Sequence, residues 1–199
     1  MIVAVWQVQS GLKMDHLISD SATIELYAWL EQDAQLPGWD VLLDNPFAQA
    51  LPEDRFSTVQ NYFAEYHLEY FRQRLFRQFP SRLHALLLFA TRVDAEAFRV
   101  KHPRRAFGKI LVRARSRGRY LCSFHDSSWL DYLRLPHSLS LAMLDEVANH
   151  YWNGVLVEEA GLSFLDQRWH DPPVIEALFQ GTLEPVVTYP QSGWLPGFP

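Results

Sequence analysis

The stretch from Pro52 to Pro80 leaves the chain little choice but one long helix. Pro52 suits a first helical turn, and Glu53 and Asp54 complement the positive end of the dipole. Phe56, Val59, Phe63, Tyr66, Tyr70, Leu75 and Phe79 then recur at intervals of three, four and five residues. The spacing predicts a helix over 53–78, stopped by Pro80, with its Phe and Tyr stripe packed into the core.

Around it the chain alternates between strand-like and helix-like segments. Ile2 to Val8 is an apolar run broken only by Gln7, which reads as a first strand. A short helix is expected from about Ala22 to Gln32, where Ile24, Tyr27, Ala28 and Leu30 sit near helical spacing, and the Pro- and Gly-containing segment 33–51 reads as a loop. Leu83 to Phe89 reads as a buried strand. Thr91, with Asp94 three residues on, opens a helix through Lys101 that His102 and Pro103 end.

Ile110, Val112 and Ala114 alternate with Leu111, Arg113 and Arg115. After Ser116-Arg117-Gly118 the run Tyr120 to Phe124 completes an expected antiparallel hairpin. A helix over 139–152 follows, with Ser138 as its cap and Gly154 just past its end, then two short strands, Val174 to Phe179 and Glu184 to Tyr189. Residues 190–199 read as an irregular Pro/Gly-rich tail. This order predicts a single α+β domain over 1–199, an antiparallel sheet flanked by helices.

At 199 residues and 48% hydrophobic composition such a chain can bury a self-sufficient core without disulfides, and the single Cys122 has no internal partner. An unpaired cysteine suits a reducing compartment. No apolar run reaches the length of a membrane span, and the first residues lack the basic start and small-residue cleavage site of a signal peptide, so a cytoplasmic protein is expected. The net charge of −5 hides a strong asymmetry: residues 72–119 hold 14 of the 18 Lys and Arg against two acidic residues. That segment is either a basic face for phosphates or a set of cations neutralised by acids elsewhere in the fold.

Gly-rich phosphate loops, G-x-S-x-G elbows, H-E-x-x-H and Cys-x-x-Cys pairs are all missing from the sequence, and the histidines lack metal-ligand spacing, so no metal site is expected. His125-Asp126-Ser127 reads as a cap where a helix starts, because neighbours in sequence seldom face one another as a triad must. His170-Asp171 is the other His-Asp pair. Glu176 stands out as a carboxylate inside an apolar strand, facing either water or a cleft. Arg82 precedes the most apolar strand, where it either snorkels to water or grips a phosphate with its fork.

Phe79-Pro80-Ser81-Arg82-Leu83 before a strand, Tyr151-Trp152-Asn153-Gly154 at a helix end, and Glu176-Ala177-Leu178 opening a strand together resemble a pattern in bacterial proteins of the ADP-ribosyltransferase-like superfamily. The resemblance covers about residues 60–190. It implies a split antiparallel sheet that clamps NAD as a substrate, with Glu176 as the catalytic late-strand glutamate and Ser81 with Arg82 as the middle motif. On the same grounds Trp6 and Gln7 of the first strand, with Tyr151 and Trp152, line the dinucleotide, and Trp6 or Trp152 stacks the nicotinamide. The acceptor implied is a protein or a nucleic acid, and the superfamily carries an association with toxins and effectors. Gln7 stands where a His or Arg is the family's pattern, so either Arg82 supplies the cation or the chain is a non-catalytic member.

Two other readings use the same residues. One is a non-enzymatic binding module, an immunity or regulatory protein, in which Glu176, Ser81 and Arg82 do not converge. The other is a nucleic-acid binder that presents Arg113, Arg115, Arg117 and Arg119 from one face of the Lys109–Arg119 hairpin.

Overall fold

The computed structural model describes residues 17–19, 23–31, 55–134, 140–160 and 172–189. The expected first strand, the 33–51 loop, the 190–199 tail, Trp6, Gln7, Ser138, His170 and Asp171 lie outside the described residues. In chain order the elements are β1 (Leu17–Ser19), β2 (Glu25–Glu31), α1 (Arg55–Leu75), β3 (Leu86–Phe89), α2 (Arg92–Lys101), α3 (Pro103–Ala106), β4 (Lys109–Asp126), α4 (Ser128–Leu133), α5 (Leu141–Trp152) and β5 (Ile175–Tyr189). Helices lie against an antiparallel sheet, the α+β class read from the sequence.

The spine of the sheet is β4, 18 residues long. One of its edges carries β1, with Leu17 opposite Cys122, and then β2, from Glu25 opposite Arg115 to Glu31 opposite Lys109. The other edge pairs with β5 from Asp126 opposite Ile175 to Leu111 opposite Tyr189. The far edge of β5 takes β3, Leu86 opposite Phe179 through Phe89 opposite Glu176, and β3 meets β2 at Tyr27 opposite Phe89. Strands β4, β2, β3 and β5 thus close on themselves.

Three expectations change. The segment expected as a helix near 22–32 is strand β2. Leu26 and Ala28 point into the interior shared with Ala114, Cys122 and Phe179, while Tyr27 and Trp29 cover the α2 side with Phe89 and Leu111. With apolar residues on both faces its pattern has no clear period, and pairing along β4 decides the matter. The expected 110–124 hairpin is one continuous strand. Gly118, at φ 72°, lets β4 bulge instead of reversing: Arg117 pairs with Thr182 and Leu121 with Gln180, so β4 spends two more residues than β5 there. The two short C-terminal strands are likewise one, β5, running through Gly181. A Cβ on Gly181 would lie 2.8 Å from the Tyr120 Cβ, which is why a residue without one stands where the bulged strand comes close.

Helix α1 forms as the periodicity requires, but a different face is buried. Ala64, Leu68 and Phe71 pack on α4, α5 and Leu178, whereas Phe63, Tyr66, Tyr70 and Leu75 of the expected core stripe are exposed, Tyr66 by 55% and Tyr70 by 57%. Spacing alone cannot say which of two apolar rows turns inward, and the smaller Ala–Leu row allows the closer approach to α5. Between those rows runs a third, Glu65, Glu69 and Arg72, directed at the turn before β3. The expected strand over 83–89 is correspondingly shorter, because Arg82 to His84 form a turn whose Ser81 carbonyl accepts from the His84 and Ala85 amides.

The cap at Thr91 is present in full: its hydroxyl accepts from the Asp94 amide and Asp94 accepts from the Thr91 amide. Helix α5 is capped by Ser140, whose hydroxyl accepts from the Met143 amide, and Gly154 at φ 68° follows its end.

Candidate functional site

Strand alternation carries Glu176 to the helical side of β5, the side of Leu178, while Ala177 and Phe179 face the interior of the closed sheet. Glu176 is only 6% exposed, so it does not face open water. What meets it there is Arg82. The guanidinium gives Nε to Glu65 Oε2 at 2.7 Å and Nη2 to Glu65 Oε1 at 3.0 Å, while Nη1 donates to the Tyr151 hydroxyl at 2.9 Å and to Glu176 Oε1. The Tyr151 hydroxyl in turn donates to Glu176 Oε1 at 2.6 Å. One arginine thus joins two carboxylates and a phenol from α1, α5 and β5.

The Arg82 fork is spent inside the protein. It neither snorkels to water nor offers its donors to a phosphate, which corrects both sequence expectations for this residue. Ser81 is beside it in sequence but serves the neighbouring carboxylate: its hydroxyl donates to Glu69 Oε2 at 2.8 Å and accepts from the Leu83 amide, while Arg72 grips Glu69 in two-point fashion at 2.7 and 2.9 Å. Trp152, expected to stack a nicotinamide, is fully buried. Its indole donates to the Leu68 carbonyl, and Phe76, Phe79 and His125 lie against its ring.

Burial pushes the Glu176 carboxyl above the usual carboxylate range, against the pull of Arg82 and Tyr151. For Glu65 the same upward push is overcome by Arg82, with Arg134 and Arg105 behind it, and the carboxyl is held below that range. Two carboxylates on one guanidinium are therefore driven apart in proton affinity, as they are at many acid–base sites and in some purely structural ion-pair networks. The Tyr151 phenol, driven well above its ordinary value by burial, stays a donor. Hydrogen bonds among the described residues engage Oε1 of Glu176 and leave Oε2 without one.

Behind this cluster His125, opposite Glu176 on β4, stacks on Tyr151 at 4.5 Å between centroids. Burial lowers it to about 3, so it is neutral. The Tyr151 carbonyl can only accept, so His125 Nδ1–H donates to it, and the Ser123 hydroxyl donates to Nε2 at 2.8 Å. Ser123 and His125 are both fully buried, which makes this pair a support for Tyr151 and not a nucleophile with its base. Asp126 fills the role expected of His125-Asp126-Ser127: one oxygen accepts from the Ser128 amide at the start of α4, the other from the Val157 amide.

Glu65 and Glu69 escaped the sequence reading. Their signal was there: Glu65, Glu69 and Arg72 follow helical spacing immediately beside the buried row. Five cations of the basic segment are met by acids from outside it, Arg72 by Glu69, Arg82 by Glu65 and Glu176, Lys101 by Asp131, and Arg113 and Arg115 by Glu25. Among the described residues no cluster of His, Cys, Asp and Glu could hold a metal ion, and no helix is long and apolar enough to cross a membrane. No known family model matches the chain, and no curated protein matches it significantly.

Proposed function

We propose that the chain is an NAD-dependent ADP-ribosyltransferase-like protein that transfers ADP-ribose to a protein or nucleic-acid acceptor, with Glu176 as its catalytic carboxylate. One observation carries the reading. Residues 94 apart in sequence, Arg82 and Glu176, meet with Tyr151 so that Oε1 is clamped twice and Oε2 is left to accept from a substrate hydroxyl. Loss of nicotinamide passes through a ribose with developing positive charge, which a fixed carboxylate stabilises if it also orients the 2′-hydroxyl. In this scheme Arg82 and Tyr151 are positioning residues: they fix the carboxylate and prevent its rotation. Glu65 balances the charge of Arg82, so the cluster gains a cation partner without repelling it.

The choice of substrate comes from the resemblance of residues 79–83, 151–154 and 176–178 to that superfamily. A toxin or effector role would follow only from the same resemblance. The test is nicotinamide release from NAD by the purified protein, with cell lysate as a source of acceptors, for wild type and Glu176→Gln. Release by wild type that drops by about a hundredfold or more in the variant is expected, the size typical of losing one preorganised electrostatic partner. No release by wild type, together with no NAD binding by calorimetry, would leave the second reading, a non-enzymatic binding module. The buried Trp152 and the fully engaged Arg82 fork favour that alternative.

A further inference from the structure

Helix α1 turns one side to solvent, and that side is built of rings and cations. Tyr62, Tyr66, Tyr70 and Arg74 follow one another at four-residue steps, about 6 Å each along the axis, with Phe63 beside them and Arg77 just past the helix end, all six exposed. The rings of Tyr62 and Tyr66 are stacked, 5.2 Å between centroids and 8° from parallel. The Arg74 guanidinium lies over the Tyr70 ring at 5.3 Å, and one of its amino groups donates to the Tyr70 hydroxyl at 3.2 Å.

No carboxylate interrupts this face. The two acids of α1, Glu65 and Glu69, are turned toward β3 and spent there, Glu65 on Arg82 and Glu69 on Arg72 and Ser81. On the other flank Asp145 of α5 is engaged by His67 at 3.4 Å. Carbonyls at and after the helix end take Arg72 and the Nε of Arg77, whereas Arg74 and Arg77 have no acid partner among the described residues. Exposed rings at a regular repeat, next to cations without anions, fit a partner that brings a flat π face and a negative charge at every step. Unpaired bases of a nucleic acid do that. A duplex hides those faces in its own stack, and an acidic peptide brings charge without a regular ring.

We propose that this face of α1 is a docking surface for single-stranded nucleic acid, with bases on Tyr66 and Tyr70 and phosphates toward Arg74 and Arg77. The surface uses none of the buried Glu65–Arg82–Glu176 cluster and stands independently of the transferase reading.

Fluorescence anisotropy of a labelled single-stranded homopolymer of about twelve nucleotides with the full chain, across a salt series, tests it. Binding that weakens as salt rises is expected, with about a tenfold loss in Tyr66→Ala and in Tyr70→Ala, near wild-type binding in Tyr66→Phe, and a shallower salt slope in Arg74→Gln. Both tyrosines are more than half exposed, so the variants keep the fold, which thermal unfolding verifies. Arg117→Ala on the β4 bulge should bind as wild type does. No binding to wild type, binding unaffected by both alanine variants, equal binding of a duplex of the same length, or a loss seen instead in Arg117→Ala overturns the proposal. Tighter binding of a poly-glutamate peptide of equal charge also overturns it and makes the partner an acidic protein. Nicotinamide release without oligonucleotide binding removes only this surface, whereas oligonucleotide binding without nicotinamide release removes only the transferase reading.

Discussion

Arg82 is nearly inaccessible to solvent, and a buried guanidinium is tolerable only because Glu65, Tyr151 and Glu176 accept from it. Arg82 and Glu176 are conspicuous in the sequence because each interrupts an apolar setting. Glu65 is not, since a glutamate in a helix rich in charge is ordinary until the angle about the axis is known. The same burial sets the acid response through His125. An unfolded chain protonates this histidine as pH falls through about 6.5, whereas the folded chain resists until about 3. The unfolded state therefore binds more protons within that window, and stability declines as pH falls by up to about 1.4 kcal/mol per pH unit. His102, lowered to about 4, adds to the decline. Denaturant midpoints measured from neutral pH to about pH 5 should fall for wild type and fall less steeply for His125→Asn. Parallel slopes would show that His125 is not the group responsible.

Helix α2 shows how much one capping residue can link. Asp94 closes the capping box with Thr91 through Oδ2 and, through Oδ1, accepts from the Ile175 amide at 2.9 Å, tying the start of α2 to the start of β5 next to Glu176. The Thr91–Asp94 box is legible from residue types alone, because its chemistry is local. The bond to Ile175 is not, since its partners are 81 residues apart. Thr91→Ala should cost about 1 kcal/mol of unfolding free energy. Asp94→Ala also orphans a buried amide and should cost about 2–4 kcal/mol. Chemical denaturation of the two variants gives the comparison, and equal losses would mean that the Ile175 contact contributes nothing. The misread β2 and β4 teach the same limit. A segment apolar on both faces, or a glycine that can serve a turn or a bulge, is decided by its partner strand.

The closed path through β4, β2, β3 and β5 depends on backbone contact where the two longest strands are irregular. Gly181→Ala would press a methyl group against Tyr120 and Phe179 at 2.8 and 3.0 Å, and a cost of about 1–3 kcal/mol or more is expected. Gly118 has open space around it, so Gly118→Ala should cost only about 1 kcal/mol, for its positive φ. Thermal unfolding of both variants should rank Gly181→Ala lower, and the reverse order would contradict the close packing of the bulge. The α+β class was readable from the order of segments, whereas the ring was not, because it rests on pairings between distant strands. Those pairings also give the site a timetable. Arg82 and Glu65 leave the ribosome well before Glu176, which follows Arg82 by 94 residues, about 5–20 s of synthesis. Until β5 slots between β3 and β4, the nascent chain holds an arginine with one of its two carboxylates, so the cluster can assemble only after its last strand has been made.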